Sequence, residues 1–209
     1  MNVVKAVVFD FDMTLADSSY AITECTNRLA EEQGLRPVTR EEVLKTIGMP
    51  IRDGWLFLWG RFEEDWLVRY RGFFVEQEYA GIRVFPGTVP LLKSLQKKGI
   101  KLAVASNRQN ARPVVESQRL EGFFEYIIGI QDVENPKPAP DILYKSMELL
   151  KTDPEEIFYV GDTDLDMMTS VAAGVRGLGL STGNFSREEL QASGAWKTFE
   201  KIEDILTLF

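Results

Sequence analysis

Residues 7–18, VVFDFDMTLADS, run an apolar segment into two aspartates, Asp10 and Asp12, separated by a single phenylalanine. Neighbouring carboxylates repel, so the pair needs compensation, either a divalent cation or a proton held on one of them. Alone, the pair also reads as a solvated turn or a helix cap. Three later segments carry polar residues in matching places. AVASN finishes on Ser106 and Asn107, NPKPAPD sets Lys137 between two prolines, and VGDTDLDM supplies Asp162, Asp164 and Asp166. Singly, Ser106 and Asp162 read as helix caps and Lys137 as a surface lysine. Four coincidences at successive strand ends are far less ordinary than any one. In open parallel sheets, ligands bind beyond the carboxyl ends of strands, where the strand order reverses.

Positioning these residues requires strands. VKAVVFD, IKLAVAS, EYIIGI, EIFYVGD and VRGLGL are rich in Val, Ile and Leu with little alternation, as befits strands buried on both faces. Between them TVPLLKSLQKKG, ARPVVESQRLEG, PDILYKSMELLK and DMMTSVAAG read as helices, several stopped by glycine. The expectation is an α/β fold with a Rossmann-like parallel sheet. Residues 17–80 contain no good strand and are too long for a plain crossover. They read as an inserted module of helices: SYAITECTNRLAEEQG, TREEVLKTIG, IRDGWLFLWG and EEDWLVRYRGFFVEQEY. The expected division is therefore a core of residues 1–16 and 81–209 with a helical module of residues 17–80. Trp55, Trp59 and Trp66 fall in the module, where they read as its own core or as a substrate-contacting face.

Composition narrows the chemistry. A net charge of −8 among 209 residues, without a basic stripe, argues against a nucleic-acid partner. The chain has no histidine, so histidine-based triads and histidine metal sites are excluded. Acid–base work must use carboxylates, Lys, Tyr, Cys or metal-bound water. Cys25 is the single cysteine, which excludes an internal disulfide and fits a reducing compartment. A quickly acidic N-terminus and the lack of a long apolar run predict a cytoplasmic protein with no membrane partner.

With DFDMT, Ser106, Lys137 and GDTDLD in this order across essentially the whole chain, the sequence resembles the haloacid dehalogenase-like hydrolase superfamily. The resemblance implies a sheet order of third, second, first, fourth, fifth strand, with the inserted module as a small helical cap. It implies a phosphatase in which Asp10 attacks phosphorus to give an aspartyl-phosphate and Asp12 acts as acid and then base. Mg²⁺ would be held by Asp10, by Asp12 through its backbone carbonyl, and by Asp162. Asp166 would support that shell from behind. Thr14, Ser106, Asn107 and Lys137 would serve the phosphate, Lys137 with its charge. The substrate implied is a small organic phosphate monoester.

An acid two residues after the nucleophile favours ester hydrolysis over dehalogenation, because a leaving halide needs no proton. A 2-haloacid dehalogenase and a non-catalytic regulatory protein on the same scaffold stand as the alternatives. DMTLADS, IGMPIRD and FPGT resemble the phosphoglycolate phosphatase-like members in particular. Met13 is a departure, standing where glycine is usual. Methionine resists a positive φ, so the first loop is expected to differ locally. Arg52, after GMPI, is the candidate for a substrate carboxylate, and it reads equally well as a solvated helix-start residue. Linkers at 16–18 and 81–87 are the expected hinges of the cap.

Overall fold

In the computed structural model, residues 4–109 and 111–209 are described, apart from the side chains of Phe73 and Phe74. β1 (Ala6–Phe9) is apolar at every position and wholly buried, which suits only a central strand. It pairs in parallel with β4 (Lys101–Ala105) on one side and β6 (Ile157–Gly161) on the other. β5 (Tyr126–Ile128) lies outside β4, and β7 (Arg176–Leu180) lies outside β6. A strand not expected from the sequence, β8 (Lys197–Phe199), joins β7, so the sheet runs β5-β4-β1-β6-β7-β8. β4 and β6 flank β1 on opposite sides, and the order reverses there.

Alternation along β1 assigns its two faces. Val7 and Phe9 pack with Leu91, Leu92 and Leu95 of α6 (Thr88–Lys97). Ala6 and Val8 pack instead with Ile142, Leu143 and Leu150 of α8 (Asp141–Leu150). Each such leucine contributes roughly 1.5–3 kcal/mol by leaving water, and together they fix the sheet whose ends carry the polar residues.

Between β1 and β4 the chain forms α1 (Ser19–Glu32), α2 (Arg40–Leu44), α3 (Ile51–Trp59), α4 (Glu64–Arg69) and α5 (Val75–Gly81). The long helix expected over EEDWLVRYRGFFVEQEY is interrupted by a π-helical turn, Tyr70–Phe74, in the stretch that contains Gly72, a weak helix former. The first four of these helices, with Tyr70, share a core of Cys25, Leu29, Val43, Trp55, Leu58 and Trp66. Trp55 lies 6.4 Å from Trp66 and 5.5 Å from Tyr70, ring centre to ring centre, so the tryptophans pack on one another inside the helical segment. The linkers that enter and leave the segment pair as a two-stranded antiparallel ribbon, β2 (Ala16–Asp17) with β3 (Arg83–Val84). No helix among the described residues is long and apolar enough to cross a membrane.

Met13 does adopt a positive φ, +55°, so the first loop keeps the backbone that glycine would give it. The conformation costs about 1–2 kcal/mol. The Met13 side chain is 2% exposed and packs into the core of the helical segment, and that burial is of the size needed to offset the strain.

Candidate active site

Asp10 follows β1 directly and Asp162 follows β6, and these adjacent parallel strands bring the two carboxyl groups together. Asp166 sits in the first turn of α9 (Asp164–Ala172), whose N-cap Thr163 accepts from the Asp166 amide. One oxygen from each of Asp10, Asp162 and Asp166 can be chosen so that all three lie within 4.8 Å of one another, and all three residues are buried.

Lys137 enters from the loop before α8 and is completely committed. Its ammonium donates to Asp10 Oδ1 at 2.9 Å, Asp166 Oδ1 at 2.7 Å and the Tyr159 hydroxyl at 3.1 Å. Burial pulls the Lys137 ammonium down, but Asp10 and Asp166 outweigh it and hold the pKa well above the ordinary value. Burial pushes Asp166 up, yet Lys137, with hydrogen bonds from Lys137, Thr163 and Tyr159, holds it below the usual carboxylate range. Asp166 is therefore ionised and occupied.

Asp10 and Asp162 behave differently. Burial, only partly opposed by Lys137, pushes Asp10 up to about 7, with Asp166 and Asp12 adding to the rise. Burial followed by the charges of Asp166 and Asp10 drives Asp162 well above its ordinary value. The Thr14 hydroxyl donates to Asp162 Oδ1 at 3.0 Å, and among the described residues no lysine or arginine pairs with Asp162. A Cβ placed on Gly183 would lie 2.1 Å from Asp162 Oδ2, so the loop after β7 closes against that oxygen. Two buried acids with a shared deficit of positive charge, on neighbouring strand ends, suit a hard divalent cation with oxygen ligands.

Ser106 and Asn107 follow β4. Ser106 Oγ accepts from the Arg108 amide at 3.2 Å. Asn107 Oδ1 accepts from the Lys137 amide at 3.0 Å, while its Nδ2 donates to Gly48 O at 2.9 Å and to Lys137 O at 3.3 Å. Gly48, with φ +95°, brings the loop before α3 so close that an added Cβ would stand 3.0 Å from Thr163. The helical segment thus rests on the sheet's carboxyl end. Arg52 is exposed, with its guanidinium 5.7 Å from the Phe62 ring centre, and among the described residues no ion pair joins it to the site's aspartates.

Two groups were not marked by the sequence reading. Tyr159 lies inside β6, where its ring reads as core, yet its hydroxyl donates to Asp166 at 2.7 Å. Arg108 donates to both oxygens of Asp12, at 2.6 and 2.7 Å. Its place immediately after Ser106 and Asn107 is the one signal that could have found it.

The haloacid dehalogenase-like hydrolase family profile matches residues 7–180. A phosphoglycolate phosphatase of Aquifex aeolicus is 30% identical over 175 residues, covering 82% of each chain. The pyrophosphatase PpaX of Anoxybacillus flavithermus is 28% identical, over 100% of this chain and 97% of its own. A solved structure from Bacteroides fragilis, described as haloacid dehalogenase-like, matches with a TM-score of 0.87 at 31% identity, over 97% of this chain and 99% of that one.

Proposed function

The chain belongs to the haloacid dehalogenase-like hydrolase family, and from that premise we propose that it is a Mg²⁺-dependent phosphatase of small phosphate monoesters such as phosphoglycolate. The observation that carries this reading is the buried cluster of Asp10, Asp162, Asp166 and Lys137 at adjoining strand ends. Asp10, Asp162 and the Asp12 carbonyl would hold Mg²⁺, which supplies positive charge that neutralises the carboxylates and the phosphoryl group.

In the first half-reaction Asp10 attacks phosphorus. The new Asp10–phosphorus bond forms as the bond to the ester oxygen breaks, and Asp12 gives that oxygen a proton. In the second, water attacks phosphorus, its proton passes to Asp12, and the bond to Asp10 breaks. Lys137 and Ser106 stabilise charge on the phosphoryl oxygens, while Asp166 keeps Lys137 in place at 2.7 Å. Thr14 orients Asp162 through its hydroxyl. Asn107 joins the phosphate-binding group when the loop carrying Gly48 lifts, since its amide hydrogens serve Gly48 and Lys137 in the present arrangement.

Residues 17–80 act as a cap over this site, and the β2–β3 ribbon is the hinge. Arg52 is proposed to meet a substrate carboxylate on a rotated cap. A panel of phosphate esters with phosphoglycolate and pyrophosphate among them, assayed for phosphate with Mg²⁺ and with EDTA, tests the reading. Phosphate release abolished by chelation is the expected result. Halide release from 2-haloacids, or no turnover of any ester with Mg²⁺, would overturn it.

A further inference from the structure

Arg108 ties three parts of the molecule together. Its Nε and Nη2 hold both carboxylate oxygens of Asp12, and its Nη1 donates to Glu78 Oε1 at 2.6 Å. Glu78 belongs to α5, the last helix of the inserted segment, and is 3% exposed. Its other oxygen accepts from the Tyr70 hydroxyl at the start of the π-helical turn. The neighbours of Arg108 make the same junction: Asn107 donates to Gly48 O, and Gln109 accepts from Arg71. Burial pulls the guanidinium down, but the charges of Asp12 and Glu78 outweigh it. One cation is thus shared between a carboxylate of the loop after β1 and a carboxylate of the helical segment.

We infer that Arg108 is a positioning residue that couples the seating of the helical segment to the freedom of Asp12. The inference rests on the phosphatase reading above. With both oxygens held by the guanidinium fork, Asp12 cannot turn to a leaving oxygen or to an attacking water, so the fork must open in each half-reaction. Glu78 is the group that loosens it. A guanidinium shared by two carboxylates grips each less firmly than it grips one alone, and Glu78 reaches Arg108 only when the segment is seated. Lifting the segment withdraws Glu78 and leaves Asp12 fully gripped. Proton transfer by Asp12 is therefore confined to a substrate already enclosed and shielded from bulk water.

The test compares the unsubstituted protein with E78Q, R108Q and the E78Q/R108Q double variant, with Mg²⁺, on two esters. An alkyl phosphate needs a proton on its leaving oxygen, whereas p-nitrophenyl phosphate releases a phenolate that does not. E78Q is expected to lower kcat for the alkyl ester about tenfold more than for the aryl ester, with KM held within about twofold. In the R108Q background, adding E78Q should change nothing further. Melting curves establish which variants are folded. If E78Q does not fold, R108K takes its place: it keeps the charge but loses the fork, so Asp12 is released and kcat for the alkyl ester should rise relative to that for the aryl ester, and a selective loss for the alkyl ester would overturn the inference. Equal losses on both esters, an E78Q effect that persists without Arg108, or a change confined to KM would overturn the inference. An unsubstituted protein that hydrolyses neither ester would overturn the phosphatase reading, and the inference with it.

Discussion

Replacing the proposed nucleophile should stabilise the protein while destroying its activity. Asp10 is a buried acid whose pKa is raised from 3.8 to about 7, chiefly by burial. The folded chain then binds this proton more tightly than the unfolded chain does. The linked stability is present below pH 3.8 and drains away as pH rises through the window up to about 7. At about 1.4 kcal/mol per pH unit, the full displacement is worth roughly 4 kcal/mol at pH 8, which the effective polarity of protein interiors reduces to about 2 kcal/mol. Asp10→Asn removes this penalty, retains an oxygen for Lys137, and leaves Lys137 its 2.7 Å contact with Asp166. For a chain of this size, Tm should rise by roughly 4–8 °C. The assay is calorimetric melting of both proteins in EDTA from pH 5 to pH 8. The advantage of the D10N protein should narrow towards pH 5, and saturating Mg²⁺ should reverse it at pH 8 by giving Asp10 a counter-ion. A lower Tm for D10N in EDTA at pH 8, or a difference that ignores pH, would refute the reasoning.

The same protons are expected to compete with the proposed cation. Mg²⁺ affinity by titration calorimetry should rise between pH 6 and pH 7 by about tenfold per proton released, and a flat profile would exclude Asp10 as a ligand. Gly183→Ala puts a Cβ where only 2.1 Å separates it from Asp162 Oδ2. It should weaken Mg²⁺ binding roughly 10- to 100-fold with little change in Tm, and unaltered binding would show that Asp162 is not a ligand. Lys137→Met leaves Asp10 and Asp166 without their shared ammonium. Urea denaturation at pH 8 should record a loss of about 3–5 kcal/mol, and wild-type stability would mean that Lys137 is not the counter-ion of these acids.

What the sequence discloses follows from where constraints are local. A central parallel strand must be apolar on both faces, so β1, β4 and β6 stand out, and any charge at their carboxyl ends is conspicuous. That is why Asp10, Ser106 and Asp162 stand out in the sequence as polar residues at strand ends, and the structure brings Asp10 and Asp162 together. Lys137 was legible because prolines on both sides mark a fixed loop ahead of a helix. β8 and the β2–β3 ribbon were not, because strands of two or three residues leave too short a pattern and exist only by pairing with something already in place.

Arg108 shows the same limit in the site. It is one of 24 lysines and arginines, and its partners lie 96 and 30 residues away in the chain. Glu78 sits two positions from Glu76 in a short helix and carries no mark in the sequence that sets it apart, yet it is buried and reaches Arg108 just beyond the carboxyl end of β4. Met13 goes the other way: its backbone preference argued against the left-handed conformation, and burial of its side chain in the helical segment's core supplied what the preference lacked. In each case the missing term is a contact between the helical segment and the sheet. The residues proposed to do the chemistry are written at strand ends, whereas those that set when Asp12 can act depend on two distant stretches meeting. Changes to 108–109 or to α5 are thus expected to alter the timing of proton transfer before they alter the binding of phosphate.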